Sequence, residues 1–561
     1  LELDEHETLV GSIFDYQQKF FELQDFGVWR AFLSALEQQL SEYSDQHSQR
    51  IQRDLVSRRK ALAGENCPLL DRAEELLDEE NLAAAEEYLK RLDAGERELP
   101  DTFRSSKQVL DHFLTFLSPE VFEPIFNYCS NFRGGNLPKI GPSYLEQHPP
   151  KDWTSRHFDN ARSFLATWPV GKRMISTAGT ITELFRKLGL TVEKSTAIPS
   201  KDPAELYELT VQPERSNRTD YRHPIAKFGT GLSSPLRVVC LFGNFPPKQL
   251  VDTVCALDLR DMSVVLVDAV IDRAARCKIA EIIHKEKVQG QAPFLVIDRV
   301  LMLYLATLQE TERLSAMLQC TLPYTIYQPF TTGDSDTVVS DEMFCGRVAE
   351  LSSITNENGP CIVYGGRQLG KSALLQRSAS LSNVPAERRY ALTVTVVNCG
   401  SEAAFSQEVS QKLRNVLNLP IRLADTVSGL CDELRTLFQS GKVVKLLLLL
   451  DEADKFLSAI GPEYLPLKPL IDLRKETRNR FKFVLTGLHN VFRAKRVPNS
   501  VLDQLGDPLC IKPLSPIDAL DLISRPLEYL GFQIKPDLHM EAVLANTNYY
   551  PGIIQFFGYK L

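Results

Sequence analysis

No two cysteines of this sequence stand in a C-x-x-C pair, although there are eleven, and the nine histidines never form H-E-x-x-H. Scattered, odd-numbered thiols point to a reducing compartment and exclude a disulfide scaffold or a zinc ribbon. No apolar run reaches the roughly 18 residues needed to span a bilayer, and nothing resembles a signal peptide, so a cytoplasmic protein without a membrane partner is expected. A basic surplus is also missing. The net charge of −8 gives no global field for nucleic acid, which leaves only a local patch as a route to it. No segment repeats at a fixed period, which argues against a solenoid. The sequence begins at Leu1 and stops at Leu561 inside an apolar helical pattern, so further chain is expected at both ends.

What is there is an ordinary globular composition, 43% hydrophobic and 24% charged, over 561 residues. That length suits about three or four domains. Residues 1–130 read as helical: Phe26, Trp29, Phe32, Leu33 and Leu36 recur at helical spacing, and 73–96 reads as two helices around Glu80-Asn81. A bundle for packing or oligomerisation is the simplest role for them. The Gly- and Pro-rich stretch 131–153 marks a boundary. Residues 156–330 then alternate strands (Leu206–Val211, Arg237–Phe242, Ser263–Asp268, Phe294–Asp298) with helices, the pattern of a parallel, Rossmann-like α/β sheet. Asp268, Asp272 and Asp298 fall at strand ends, where open sheets place ligands and where helices also take their caps. Either a recognition domain or an effector enzyme fits them.

The organising stretch is Cys361–Leu375, CIVYGGRQLGKSALL. An apolar strand runs into Gly365-Gly366-Arg367-Gln368-Leu369-Gly370-Lys371-Ser372, and Ala373 opens a helix. This is G-x-x-x-x-G-K-[ST] in its proper setting. Backbone amides of such a turn, joined to a helix N-terminus, cradle phosphates. Lys371 would meet the β- and γ-phosphates, and Ser372 would ligate Mg²⁺. Some 80 residues beyond Lys371, the strand Val443–Leu450 ends in Asp451-Glu452. In that pattern Asp451 holds the metal and Glu452 polarises the attacking water. The following Ala453-Asp454 spells a helicase motif, but the rest of the helicase set is missing and Asp454 reads as a helix cap. A third strand, Phe481–Thr486, ends in Thr486-Gly487, ahead of His489-Asn490 and of Arg493 and Arg496.

Taken in order, Phe344-x-Gly346-Arg347 with Glu350-Leu351, the phosphate loop, LLLLLDEAD, FVLTG, PLSPIDALDLI and TNYYPGIIQFF resemble the AAA+/STAND division of P-loop ATPases, the STAND members being signal-transduction ATPases with numerous domains. The resemblance covers about residues 340–561 and includes the lid of origin-recognition ATPases. It implies an α/β multidomain chain: a helical N-terminal region (1–130), the α/β middle domain (156–330), a P-loop ASCE/AAA+ core (340–513) and a C-terminal helical lid (514–561) that continues past the chain end. It implies ATP and ADP as ligands with Mg²⁺, and slow ATP hydrolysis. Thr486 would act as sensor, with His489-Asn490 as second choice, and Arg493 or Arg496 as a finger into a neighbouring subunit. Phe344, Arg347 and Pro551 would lie on the adenine side. Tyr549-Tyr550 depart from the family pattern, which has a glycine there.

Three functional readings follow. One is a switch that exchanges ADP for ATP on a trigger, forms a homo-oligomer and activates an effector, a role such chains often serve in anti-phage defence. The second is a loader that remodels DNA or protein complexes. The third is an effector enzyme seated in 156–330 and regulated by the ATPase. The acidic balance favours the switch.

Overall fold

In the computed structural model the described residues are 26–62, 67–78, 81–93, 108–118, 163–165, 167–168, 178–200, 203–212, 223–229, 235–259, 261–286, 292–332, 339–461, 463–488, 501–532 and 540–561. The chain divides into two compact units, residues 1–104 with 541–545, and residues 105–540 with 546–561. The Gly- and Pro-rich stretch 131–153 lies outside the described residues.

The first unit carries α1 (Phe26–Ala61), α2 (Pro68–Asp78) and α3 (Leu82–Asp93). As the two-helix reading of 73–96 implied, α2 and α3 pack as a pair either side of Asn81, with Ala73, Ala84 and Ala85 fully buried. Arg59 at the end of α1 bridges Asp71 at 2.7 Å and Glu74 at 2.5 Å. These pairs are half-exposed and contribute little beyond register.

The second unit begins with α4 (Gln108–Phe116) and α5 (Ala178–Lys187) and builds its first sheet from β1 (Val192–Ile198), β2 (Ala204–Val211), β3 (Leu236–Leu241), β4 (Ser263–Val267) and β5 (Phe294–Asp298). Helices α6 (Pro247–Cys255) and α7 (Arg273–Glu286) connect β3 to β4 and β4 to β5, and α8 (Arg299–Ala306) and α9 (Glu310–Thr321) follow. The strand order is β1-β2-β3-β4-β5. Here the structure corrects the expected parallel Rossmann-like sheet: β3, β4 and β5 are parallel, but β1, β2 and β3 run antiparallel. Strand β1 escaped the sequence reading because it is an edge, with only Val192 of VEKSTAI buried. Leu250, Val251 and Val254 of α6 and Ile279 of α7 cover one face over Val239, Leu241, Val265 and Val267. Phe185 of α5, Leu301 of α8 and Met317 of α9 cover the other over Val238, Val264 and Ile297.

The second sheet is wholly parallel and belongs to residues 348–510. Its elements in order are α10 (Val348–Thr355), β6 (Ile362–Tyr364), α11 (Lys371–Ser382), β7 (Arg389–Thr395), α12 (Glu402–Leu417), α13 (Val427–Gln439), β8 (Lys445–Asp451), α14 (Asp454–Ala459), α15 (Lys468–Glu476), β9 (Phe481–Gly487) and β10 (Leu509–Cys510). The order β10-β6-β9-β8-β7 slots β9 between the phosphate-loop strand and the acidic strand. The unbroken leucines of β8 follow from burial on both faces. Leu446, Leu448 and Leu450 pack with Phe405 and Leu434, while Leu447 and Leu449 pack with Leu351 and Leu374. Ser401 and Thr426 cap α12 and α13 through their side chains.

Lys482, in the middle of β9, is 1% exposed and was not singled out from sequence. Its ammonium donates to the carbonyls of Ile354 and Asn356, each at 2.7 Å, and so closes the C-terminus of α10. Burial brings its pKa down to about 8. The chain finishes with α16 (Pro516–Tyr529), α17 (Met540–Asn546) and α18 (Pro551–Lys560).

Candidate functional site

Every element of the site leaves the carboxyl edge of the second sheet, where parallel strands present their loops. The chain turns from β6 through Gly365–Gly370 into α11. Gly370 stands at φ +82°, a left-handed conformation that glycine adopts without Cβ strain, and Gln368 at +61° bends the turn further. Leu369 is buried and anchors the loop to the apolar layer of Leu374 and Ile511, while Arg367 and Gln368 are exposed. Ser372 is exposed in the first turn of α11, next to Ala373. The Lys371 ammonium curls back over the loop and donates to Gly365 O at 2.9 Å and Gly366 O at 2.6 Å. Burial lowers its pKa, and Asp451, Asp454 and Glu452 act in the opposite sense, which places those acids in its field.

Asp451 ends β8 at 4% exposure. Its Oδ1 accepts from the Thr486 hydroxyl at 2.5 Å and from the Glu452 amide at 3.0 Å. The register explains the first bond. Thr486 of β9 lies opposite Val363 of β6, and its neighbour Leu485 lies opposite Leu450 of β8, so the threonine sits between phosphate-loop strand and acid. Glu452 is exposed and stands at φ +56°, a strained backbone of the kind found at functional positions. Asp454 was expected as a helix cap. Its carboxylate instead accepts the Leu488 amide at 2.7 Å and ties the loop after β9 to the start of α14.

Arg347 and Pro551, expected on the adenine side, both contact the phosphate loop. The Arg347 side chain pairs with Glu350 at 3.0 Å and donates to the carbonyls of Leu369 and Lys512, which ties the phosphate loop to the segment after β10. Gly346, at φ +66°, lets Asp518 of α16 come against it: a Cβ there would lie 2.5 Å from the carboxylate. Phe344 packs into the same apolar layer as Leu369. Pro551 lies on the loop itself, 3.4 Å from where a Gly370 Cβ would be, and the Gly552 amide donates to Gln368 O at 3.0 Å. The glycine missing from the family pattern has a physical counterpart. Asn548 and Tyr549 both stand at positive φ, +50° and +55°, so the turn keeps its left-handed shape at a strain cost of about 1–2 kcal/mol per residue. Arg493, Arg496, His489 and Asn490 lie outside the described residues.

Chemically, the loop amides and ammonium suit a polyanion, and the oxygens of Ser372 and Asp451 are the hard donors that magnesium takes. Among the described residues no cluster of three or more His, Cys, Asp or Glu is placed to hold a metal. Among the described residues no two cysteines form a disulfide, and no described helix is long and apolar enough to cross a membrane.

No family model matches the chain, and no curated protein matches it. Among solved structures it is similar to a Walker-type ATPase of Pyrococcus abyssi, at 17% identity and TM-score 0.32 over 41% of this chain and 71% of that one. The ORC2 protein of Aeropyrum pernix, solved as ADPNP–ADP complexes, matches at 17% identity and TM-score 0.30 over 40% of this chain and 63% of that one. The ORC1 protein of Aeropyrum pernix, solved in complex with DNA, matches at 16% identity and TM-score 0.28 over 39% of this chain and 61% of that one. This chain therefore spans under two thirds of the two ORC proteins, and each superposition covers less than half of it.

The middle-domain carboxylates have other duties. Asp298, fully buried, accepts from the Ile271 amide at 2.8 Å and the Leu301 amide at 2.9 Å, and pairs with buried Arg276. Asp272 accepts the Ala275 amide at 2.7 Å, a helix cap. Asp268 bonds Arg299 at 2.6 Å and the Trp168 indole at 3.4 Å, on the wall of a cleft of about 590 Å³ that Phe242 and Asn244 also line. Structural bonding of all three weighs against an acid–base centre here. Asp298→Asn is accordingly expected to lower the melting temperature of the full chain, by a stability loss of about 2 kcal/mol for a hydrogen bond to a charged group. Nucleotide affinity should stay at the wild-type value in titration calorimetry.

Proposed function

We propose that the protein binds ATP and ADP with Mg²⁺ at the Gly365–Ser372 loop and hydrolyses ATP slowly as a conformational switch. The observation that carries this is the meeting, at one sheet edge, of the loop, the Lys371 ammonium and the hydroxyl-bonded Asp451 beside Glu452. Gly365, Gly366, Arg367, Gln368, Leu369 and Gly370 would offer backbone amides to the phosphates, and Lys371 would exchange its two carbonyl partners for phosphate oxygens. Ser372 and Asp451 would hold Mg²⁺, which supplies charge neutralisation on the triphosphate. Glu452 would take the proton of the attacking water. Thr486, bonded to Asp451, would keep that carboxylate oriented and respond to the terminal phosphate.

The lid resting on the loop through Pro551 and Gly552 supports a switch, because a ligand entering the loop must act on the same backbone that holds the lid. The test is the mass of the full chain in solution with Mg²⁺-ADP and with Mg²⁺ plus a non-hydrolysable ATP analogue, each with and without duplex DNA. A larger assembly with the analogue and no DNA is expected. Assembly on DNA alone would replace the switch by a loader, and unchanged mass throughout would remove both.

A further inference from the structure

Helix α18 is ten residues long, about 15 Å from end to end. Its first turn carries Pro551 and Gly552, the two residues seated on the phosphate loop. Its other turns meet a segment that precedes the ATPase core, Gln328–Thr331, which runs out of the middle domain. The contacts are close and specific. A Cβ on Gly558 would lie 2.6 Å from the ring of Phe330, itself 3% exposed. Gln555 is 4% exposed, and its Oε1 accepts the Thr331 amide at 3.2 Å. Gln328 Nε2 donates to Tyr559 O at 3.2 Å, while its Oε1 accepts the Phe330 amide at 3.1 Å. The companion lid helix is held by the same domain. Tyr529 of α16 is 5% exposed within the middle-domain core and shares a hydroxyl hydrogen bond with Ser315 of α9, and a Cβ on Gly531 would lie 2.7 Å from Pro323.

We infer that the segment Gln328–Thr331 is a strap that sets how α18 lies on the phosphate loop. Phe330, Gln555 and Gly558 are thus positioning residues for nucleotide, acting from outside the ATPase core. The physical reason is the stiffness of the helix: a packed strap at its far turns fixes its direction, and with it the place of Pro551 and Gly552 over Gly370 and Gln368. Linkage makes the effect reciprocal, so nucleotide in the loop biases the middle domain through the same helix. The inference rests on the nucleotide reading above, and it names the route by which the middle domain takes part in that site.

The test is titration calorimetry of Mg²⁺-ADP and of a non-hydrolysable ATP analogue with Mg²⁺ on the full chain. Gly558→Ala crowds Phe330 while improving intrinsic helix propensity, so a loss of affinity could not come from a weaker α18. An affinity loss of about tenfold is expected, within the ordinary range of coupling between sites. In a Phe330→Ala background, Gly558→Ala should cost nothing further, because the ring it strikes is gone. Gln555→Ala, which removes the acceptor without crowding, should act in the same direction and serves if Gly558→Ala does not fold. A lower melting temperature with unchanged affinity would mean the strap is packing only and would overturn the proposal, as would fully additive effects of Gly558→Ala and Phe330→Ala. Wild-type protein that binds neither nucleotide would overturn the ATPase reading and this inference with it.

Discussion

Lys371→Ala lowers the affinity for Mg²⁺-ATP by about 100-fold or more, the expected result of removing charge-assisted bonds worth ~1.5–3 kcal/mol each. The ammonium lies against the turn and already bonds two loop carbonyls, at 2.9 Å and 2.6 Å. Those carbonyls belong to half-buried Gly365 and Gly366, so without the lysine they turn to water at little cost to the fold. The melting temperature should hardly change, and a fluorescent nucleotide or calorimetry reads the binding loss directly. Lys371→Arg keeps the charge but spreads it over a planar fork that does not suit a compact turn, so it should recover only part of the affinity. Full wild-type affinity and nucleotide-dependent assembly in Lys371→Ala would mean that the loop is not the nucleotide site.

The parts of this site that could be read from sequence are those whose chemistry is local. Two glycines five residues apart, followed by Lys371-Ser372 and preceded by an apolar strand, leave few alternatives to a phosphate loop. Five consecutive leucines ending at Asp451 read as a strand buried on both faces because only such a strand tolerates them. What escaped depends on partners far along the chain. Strand β1 has one buried residue and becomes a strand only by pairing with β2. Strand β2, antiparallel to both of its neighbours, turns the first sheet from the expected parallel form to a mixed one. Lys482 looks like an error in an apolar strand until α10 delivers the carbonyl ends that its ammonium closes. Pro551 stood 180 residues from Lys371 in sequence, and only the fold shows it on Gly370 rather than elsewhere. The bonds of Arg347 to the carbonyls of Leu369 and Lys512, 22 and 165 residues along the chain, likewise appear only in the fold.

Glu452→Gln separates binding from hydrolysis. Glutamine has the shape of glutamate and the same backbone demands at φ +56°, so the turn after β8 should keep its form. The amide of residue 452 still donates to Asp451 Oδ1, because that 3.0 Å bond comes from the backbone. The Thr486 hydroxyl still holds the same oxygen, so the arrangement of Asp451 survives. What is lost is the carboxylate proposed to accept a proton from water beside the loop. The turnover number should fall by about 10²–10⁴, the usual contribution of a general base, while the affinity for Mg²⁺-ADP stays at the wild-type value. If the protein is a switch, this variant should also accumulate in its ATP-bound assembly, since the resetting step has been removed. A Glu452→Gln protein with wild-type turnover assigns the base to another residue. One that loses ADP binding would show that Glu452 shapes the site rather than the chemistry.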